Sequence, residues 1–181
     1  MYLIFPLETT SALVRGVERL YEGDPAPTAP FEKLCNIDNG EPLGKSGMKR
    51  LIPWEGSRTN KSDDYLVLIV DPRPKSAELR TAVRQLTGVL TGEALGRCVL
   101  INADSPGENR RFSKKFLGDD LKSLQILVDP DKAWMRDYTA LGEKRYSITV
   151  FVLQQGKVAK IARDVQWEML ALAVRNALKS L

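Results

Sequence analysis

The sequence predicts an α/β fold in which a mixed central β-sheet is flanked by helices on both faces. Continuous apolar runs are typical of strands that are buried on both faces of a sheet. Two such runs lie at 65–70 and 98–101, and a further short strand is predicted at 124–128. Segments with helical periodicity separate them, and this alternation is typical of parallel βαβ units.

The predicted helices each place apolar residues on one side, at the spacing of an amphipathic helix. They span 76–95, 106–117, 134–141 and 166–181. Trp134 and Trp167 recur at this spacing with other apolar residues, so we expect them in the core or at an interface. The last two strands, 147–153 and 157–161, form a hairpin around Gly156, which supplies the positive φ of the turn.

A chain of 181 residues is most simply one domain, which we assign to 23–181 after an N-terminal extension at 1–22. The extension is predicted to hold a short apolar strand at 1–6 and a helix at 8–21.

An N-terminal hairpin is predicted at the start of the domain. Residues 31–37 form its first strand, 38–40 its turn and 41–53 a weak return strand. A polar, loop-like stretch follows at 54–64.

Composition excludes several kinds of site. Histidine is absent, which removes histidine acid–base catalysis, Ser–His and Cys–His pairs and histidine metal ligands. The two cysteines, Cys35 and Cys98, lie 63 positions apart and form no CxxC or metal-binding cluster. We therefore expect no metal and no cofactor.

The net charge of +4 is mildly basic and can attract nucleic acid or an acidic protein. No RNP, KH or zinc-finger pattern accompanies it, which makes nucleic acid the less favoured partner. No apolar run approaches the roughly 20 residues of a membrane span, and the start lacks the pattern of a signal peptide. We expect an intracellular, soluble protein, cytoplasmic by default.

Several local segments carry a resemblance to a known family. They are Gly23-Asp24-Pro25-Ala26-Pro27, Val128-Asp129-Pro130-Asp131 followed by Trp134 to Tyr138, and Arg145-Tyr146-Ser147 before a strand with Gly156-Lys157-Val158 in its hairpin. In this order, over 21–178, the chain resembles the peroxiredoxin (alkyl hydroperoxide reductase/thiol-specific antioxidant) branch of the thioredoxin-like superfamily. The resemblance implies a thioredoxin-like fold. The segment 43–64 matches the family poorly.

The resemblance also locates a vestigial site. After its first buried strand the family carries Pro-x-x-x-Thr/Ser-x-x-Cys, with the peroxidatic cysteine in the first turn of the next helix. Pro72 and Ser76 match this pattern, but Leu79 stands at the cysteine position. Arg145 matches the family's active-site arginine. Since leucine offers no lone pair to a peroxide, the resemblance implies that peroxide chemistry is absent from this site.

The two cysteines leave a second hypothesis open, a thiol oxidoreductase or peroxidase that uses Cys98 or Cys35. Arg97 next to Cys98 would lower the pKa of its thiol. Cys98 also begins an apolar strand, where cysteine packs as a small hydrophobe, and we favour that interpretation.

Our first hypothesis is a redox-inactive domain that binds a protein partner or a second copy of itself, or has a structural role. Arg73, Lys75, Arg80 and Arg84 form either a docking face for an acidic partner or an ordinary solvated helix face. The third hypothesis is a basic protein associated with nucleic acid.

Overall fold

A computed structural model describes residues 19–56, 64–73, 77–90, 92–116, 123–140 and 148–181. Within them, six strands form one sheet in the order β1-β4-β3-β2-β5-β6. The strands are β1 (Cys35–Asn36), β2 (Tyr65–Asp71), β3 (Cys98–Asn102), β4 (Gln125–Val128), β5 (Ile148–Gln154) and β6 (Lys157–Val165).

From β2 onward the helices of these residues alternate with the strands in the predicted order, and two further α-helices precede β2. In chain order the helices are α1 (Gly44–Leu51), α2 (Pro53–Gly56), α3 (Ala77–Leu86), α4 (Gly92–Gly96), α5 (Pro106–Phe116), α6 (Ala133–Asp137) and α7 (Leu170–Lys179). The described residues also hold 3₁₀ helices at Ala29–Lys33 and Trp167–Met169.

The centre of the sheet is parallel and both of its sides are antiparallel. Strands β2, β3 and β4 pair in parallel, β5 pairs antiparallel with β2, and β6 returns beside β5. On the other side β1 pairs antiparallel with β4. The predicted fold class, a mixed sheet flanked by helices, is therefore confirmed.

Alternation along the strands gives the domain two apolar cores, one on each face of the sheet. On one face α3 and α7 pack against sheet residues such as Ile69. Their contacting side chains include Val83, Leu86 and Val174. On the other face the first 3₁₀ helix, α1 and α6 cover Leu68 and its neighbours. Burying each such aliphatic side chain contributes about 1.5–3 kcal/mol, so both faces stabilise the fold.

The turn between β5 and β6 has the predicted geometry. Gln155 and Gly156 both adopt positive φ, 50° and 77°, as a tight two-residue hairpin turn requires. The first residues of the domain pair with β6, since the Gly23 N–H donates to the Val158 carbonyl at 2.8 Å.

The predicted N-terminal hairpin is present but shorter than expected. Its turn brings Pro42 into a bridge with Cys35, and the Asn36 and Leu43 N–H groups donate to the Glu41 and Leu34 carbonyls at 2.9 and 2.8 Å. The rest of the predicted first strand is a 3₁₀ helix. From Gly44 onward the predicted return strand is helix α1, because Met48 and Ile52, four residues apart, are both buried against the sheet. The packing of this face against the core decides its conformation.

The predicted helix at 76–95 is two helices, α3 and α4. A turn at Gly88, whose N–H donates to the Gln85 carbonyl, separates them. The predicted strand at 1–6 and most of the helix at 8–21 lie outside the described residues. In the described ranges no helix has the length and apolarity needed to cross a membrane.

Candidate functional site

The carboxyl ends of the parallel strands meet at one edge of the sheet, where α/β folds commonly bind ligands. Asp71 ends β2, Asn102 ends β3 and Asp129 directly follows β4. All three are buried. In the sheet register Asp71 lies beside Asn102, and Asn102 beside Val128. This polar row is called the carboxyl edge below.

The sequence-predicted vestigial site begins at this edge. Pro72 is half-buried and directly follows β2. Leu79 is the third residue of α3, the next helix along the chain, as the family pattern requires of the reactive position. Ser76, Lys75 and Arg145 lie outside the described residues, so their placement relative to Leu79 stays a prediction.

A buried ion pair joins the end of β2 to the start of the loop that leads to α3. The Arg73 Nε lies 3.0 Å from Asp71 Oδ1 and its Nη2 lies 3.2 Å from Oδ2, while the Arg73 backbone N–H also donates to Oδ1 at 3.0 Å. The Asp71 side chain is 0% exposed and that of Arg73 15% exposed. Such a bidentate contact fixes the orientation of the guanidinium plane relative to the carboxylate.

This pair bears on the predicted basic docking face. Arg73 turns inward to Asp71, and Arg84 is exposed on α3. Lys75 lies outside the described residues. For Arg80 only the helical backbone is described. Sequence reasoning missed Asp71, although a carboxylate that ends a buried apolar run was a signal that it needs a cationic partner nearby.

The other two polar residues of the edge hold loops in place. The Asn102 and Asn109 amides donate to each other reciprocally, at 2.7 and 2.9 Å. The Asp129 carboxylate accepts the backbone N–H groups of Trp134 and Met135, at 3.3 and 2.8 Å, and so caps α6. Asp71, Asn102 and Asp129 thus all use polar atoms to fix the backbone or a neighbouring side chain.

Cys98 lies in the core at the start of β3. It is fully buried, and its thiol donates to the Ala94 carbonyl at 3.4 Å. Burial raises the pKa of the Cys98 thiol from 9.0 to about 12. The expectation that Arg97 would lower this pKa is wrong, because that guanidinium lies over the Tyr65 ring and pairs with Glu93 instead.

Cys35 lies at the edge of the sheet and is half-buried. Burial raises the pKa of its thiol, and the negative charges of Asp129 and Asp131 raise it further. A reactive cysteine generally has a lowered pKa in an electropositive environment, and the environment of Cys35 is the opposite.

The two thiols are also too far apart to form a disulfide. Strand β4 separates β1 from β3, and Cys35 aligns with Val128 and Asn102, four residues beyond Cys98. Ordinary strand dimensions then give a Cα separation of about 16 Å, more than twice the reach of a disulfide. Both cysteines are free.

Two of the segments that carry the family resemblance contact each other directly. The Tyr138 hydroxyl, at the end of α6, donates to the Pro27 carbonyl at 2.6 Å. Its ring stacks on Trp134 with centroids 4.3 Å apart, and Phe31 packs edge-on against both rings. Trp134 is therefore in the core, as predicted, while Trp167 is partly buried against the opposite core.

Solved structures that superpose on this chain include peroxiredoxins. Superposition on the bacterioferritin comigratory protein of Xanthomonas campestris, described for its alkyl peroxide reduction activity, gives a TM-score of 0.63 over 89% of this chain and 98% of that one, at 18% identity. This chain has the peroxiredoxin form of the thioredoxin-like fold. Superposition on a cysteine variant of Xylella fastidiosa PrxQ gives 0.64 over 90% and 98%, at 16% identity.

Peroxidoxin BcpB of Mycobacterium tuberculosis gives a TM-score of 0.62 over 90% of this chain and 99% of that protein, at 16% identity. No family model and no curated protein matches the sequence. The predicted thioredoxin-like fold is thus confirmed by structure, at identities that establish the fold alone. The matched region spans nearly the whole length of these structural neighbours.

Proposed function

We propose that this chain is a redox-inactive peroxiredoxin-like domain that acts as a protein-binding or structural module. The observation that carries the proposal is Leu79 at the third position of α3, immediately after the strand and loop that resemble the family's active-site segment. A thiol at this point would gain from the helix N-terminus, which stabilises a thiolate. A leucine side chain gains nothing from that environment.

The two cysteines elsewhere support the same proposal. Cys98 is buried with a pKa raised to about 12, and the pKa of Cys35 is raised by burial and by nearby carboxylates. Only the thiolate attacks a peroxide, so neither thiol has the activation that peroxide reduction requires. The alternative, a thiol peroxidase that uses Cys98 or Cys35, gains no support from their surroundings.

Peroxide consumption with dithiothreitol as reductant tests the loss of chemistry. We expect the wild type to consume hydrogen peroxide and cumene hydroperoxide no faster than the reductant alone. The variants Cys35→Ser and Cys98→Ser should behave in the same way. Turnover by the wild type that disappears in either variant would show the chain to be a peroxidase and contradict the proposal.

A gain-of-thiol variant tests whether Leu79 stands at the reactive position. We expect Leu79→Cys, in a background of Cys35→Ser and Cys98→Ser, to label with iodoacetamide at pH 7 faster than Cys35 does in the wild type, because a helix N-terminus lowers a thiol pKa. Labelling as slow as that of Cys98 would show that the position lacks the environment of a peroxidatic cysteine.

A further inference from the structure

The outer face of α1 carries a cluster of exposed cations. Lys45, Lys49 and Arg50 are all exposed, and with Ser46 they line a shallow open cleft of about 570 Å³. These three cations are called the α1 basic face. The inner side of the same helix buries Met48 against the sheet. The helix thus has an apolar inner side and a cationic outer side.

Within the described parts of the chain, no carboxylate forms an ion pair with this face. Neither an ion pair nor a side-chain hydrogen bond joins Lys45, Lys49 or Arg50 to another described residue. The helix itself contains no acidic residue. Arg73 and Arg111, in contrast, each lie about 3 Å from a carboxylate, at 3.0 and 2.9 Å.

Helix stability explains two of the three cations but not Lys45. Lys49 and Arg50 lie in the last turn, where positive charge interacts favourably with the helix dipole. Lys45 lies in the first turn, where the interaction is unfavourable, and four residues before Lys49, where like charges repel. The helix would be more stable without the positive charge of Lys45. A carboxylate supplied by a partner would offset both penalties.

We infer that the α1 basic face docks an acidic polypeptide segment of a partner protein. This inference deepens the proposed binding function and rests on it. Opposite charge decides the class of occupant, since Lys side chains pair with carboxylates as point charges. The face lies within the segment 43–64, whose sequence matches the peroxiredoxin pattern poorly.

The size and composition of the face favour polypeptide over nucleic acid. An eight-residue helix is about 12 Å long and here presents three cations. Proteins that bind nucleic acid tightly neutralise about six to ten phosphates, and those that bind single strands add aromatic side chains on which bases stack. Helix α1 contains no aromatic residue.

Fluorescence anisotropy of a labelled glutamate–serine peptide with the full chain tests the inference. In the triple variant Lys45→Gln, Lys49→Gln, Arg50→Gln we expect Kd to rise about tenfold, because three surface ion pairs are lost. Glutamine is a good helix former, so the helix is kept. Added salt should weaken binding to the wild type and affect the variant less.

A matched control removes the same charge elsewhere. Lys114, Arg175 and Lys179 are also exposed, and changing all three to Gln likewise lowers the net charge from +4 to +1. We expect this control to change Kd by less than about twofold. Equal weakening in both variants would show attraction to net charge alone and overturn the inference. Absence of binding to the wild type at low salt would overturn it as well.

An RNA probe and a peroxide assay complete the test. Tighter binding of an oligouridine of equal charge, lost in the α1 variant, would replace the acidic polypeptide by nucleic acid and so overturn the inference. Peroxide turnover by the same preparations would contradict the proposed redox inactivity, whatever the peptide does. The two failures are therefore distinguishable.

Discussion

The carboxyl edge and the α1 basic face both contain charged residues, but those residues differ in burial and in ion pairing. At the carboxyl edge the Asp71 carboxylate is 0% exposed and is held by the guanidinium and backbone of Arg73. On the α1 basic face Lys45 and its neighbours are exposed and pair with no carboxylate of the described residues. The first region satisfies its charges within the chain.

The location of the counter-charge explains the difference. A buried carboxylate requires a partner in the folded chain, because leaving it unpaired costs several kcal/mol. An exposed cation is solvated and requires none, so its removal costs the fold little. A basic residue that pairs with a buried carboxylate is needed by the fold. An exposed basic residue is available to bind a partner. A count of basic residues in the sequence does not distinguish the two.

Removal of Arg73 should have the largest effect. Arg73→Ala leaves Asp71 buried without its cation, and we expect a loss of about 3 kcal/mol in the free energy of unfolding. Urea denaturation at pH 7 measures it. Arg50→Ala, on the exposed face, should change the same quantity by less than about 0.5 kcal/mol.

A second variant identifies the cause of that loss. Adding Asp71→Asn to Arg73→Ala should recover part of the stability, because the penalty arises from an unpaired buried charge. Equal losses for Arg73→Ala and Arg50→Ala would mean that Asp71 does not depend on its ion pair, and the contrast between the two regions would disappear.

A smaller effect is expected from the buried thiol of Cys98, at the amino end of β3. The folded pKa of Cys98 is raised to about 12 from 9.0, so above pH 9 the unfolded chain loses a proton that the folded chain keeps. Stability contributed by the neutral thiol is complete below pH 9 and is lost as the pH rises towards 12. Between pH 8 and 10 the wild type should lose about 1 kcal/mol more than Cys98→Ala.

Urea denaturation at the two pH values measures this difference. Other groups with raised pKa values, Cys35 and Tyr138 among them, are present in both proteins, so the comparison isolates Cys98. An identical pH dependence in the two proteins would show that the Cys98 thiol ionises as freely in the fold as in the unfolded chain, and that it is accessible to solvent.

Local patterns predicted the centre of the sheet well. Strands β2 and β3 are buried on both faces, so each is a continuous apolar run, and little else can produce that pattern between two amphipathic segments. The hairpin at Gly156 was equally evident, because its turn requires positive φ. For these elements the sequence carries the decisive physical information locally.

Residues 44–53 of the predicted return strand were mispredicted because their decisive information is not local. Met48 and Ile52 become buried only when α1 packs on the sheet, and the segment has few apolar residues to mark that face. The candidate site shares this limit. Leu79 was located by its distance from β2 along the chain, whereas the pairing of Asp71 with Arg73 depends on how the loop folds back.

The smallest effect should come from Lys45, and it bears most directly on the role of the α1 basic face. Lys45→Glu places a negative charge in the first turn and an acidic residue four positions before Lys49, so the free energy of unfolding should rise by about 0.5 kcal/mol at low salt. Lys49→Glu, in the last turn, should lower it by a similar amount. Peptide affinity should fall in both. Destabilisation by Lys45→Glu would mean that this lysine serves the fold, like Arg73, and that the two regions do not differ in kind.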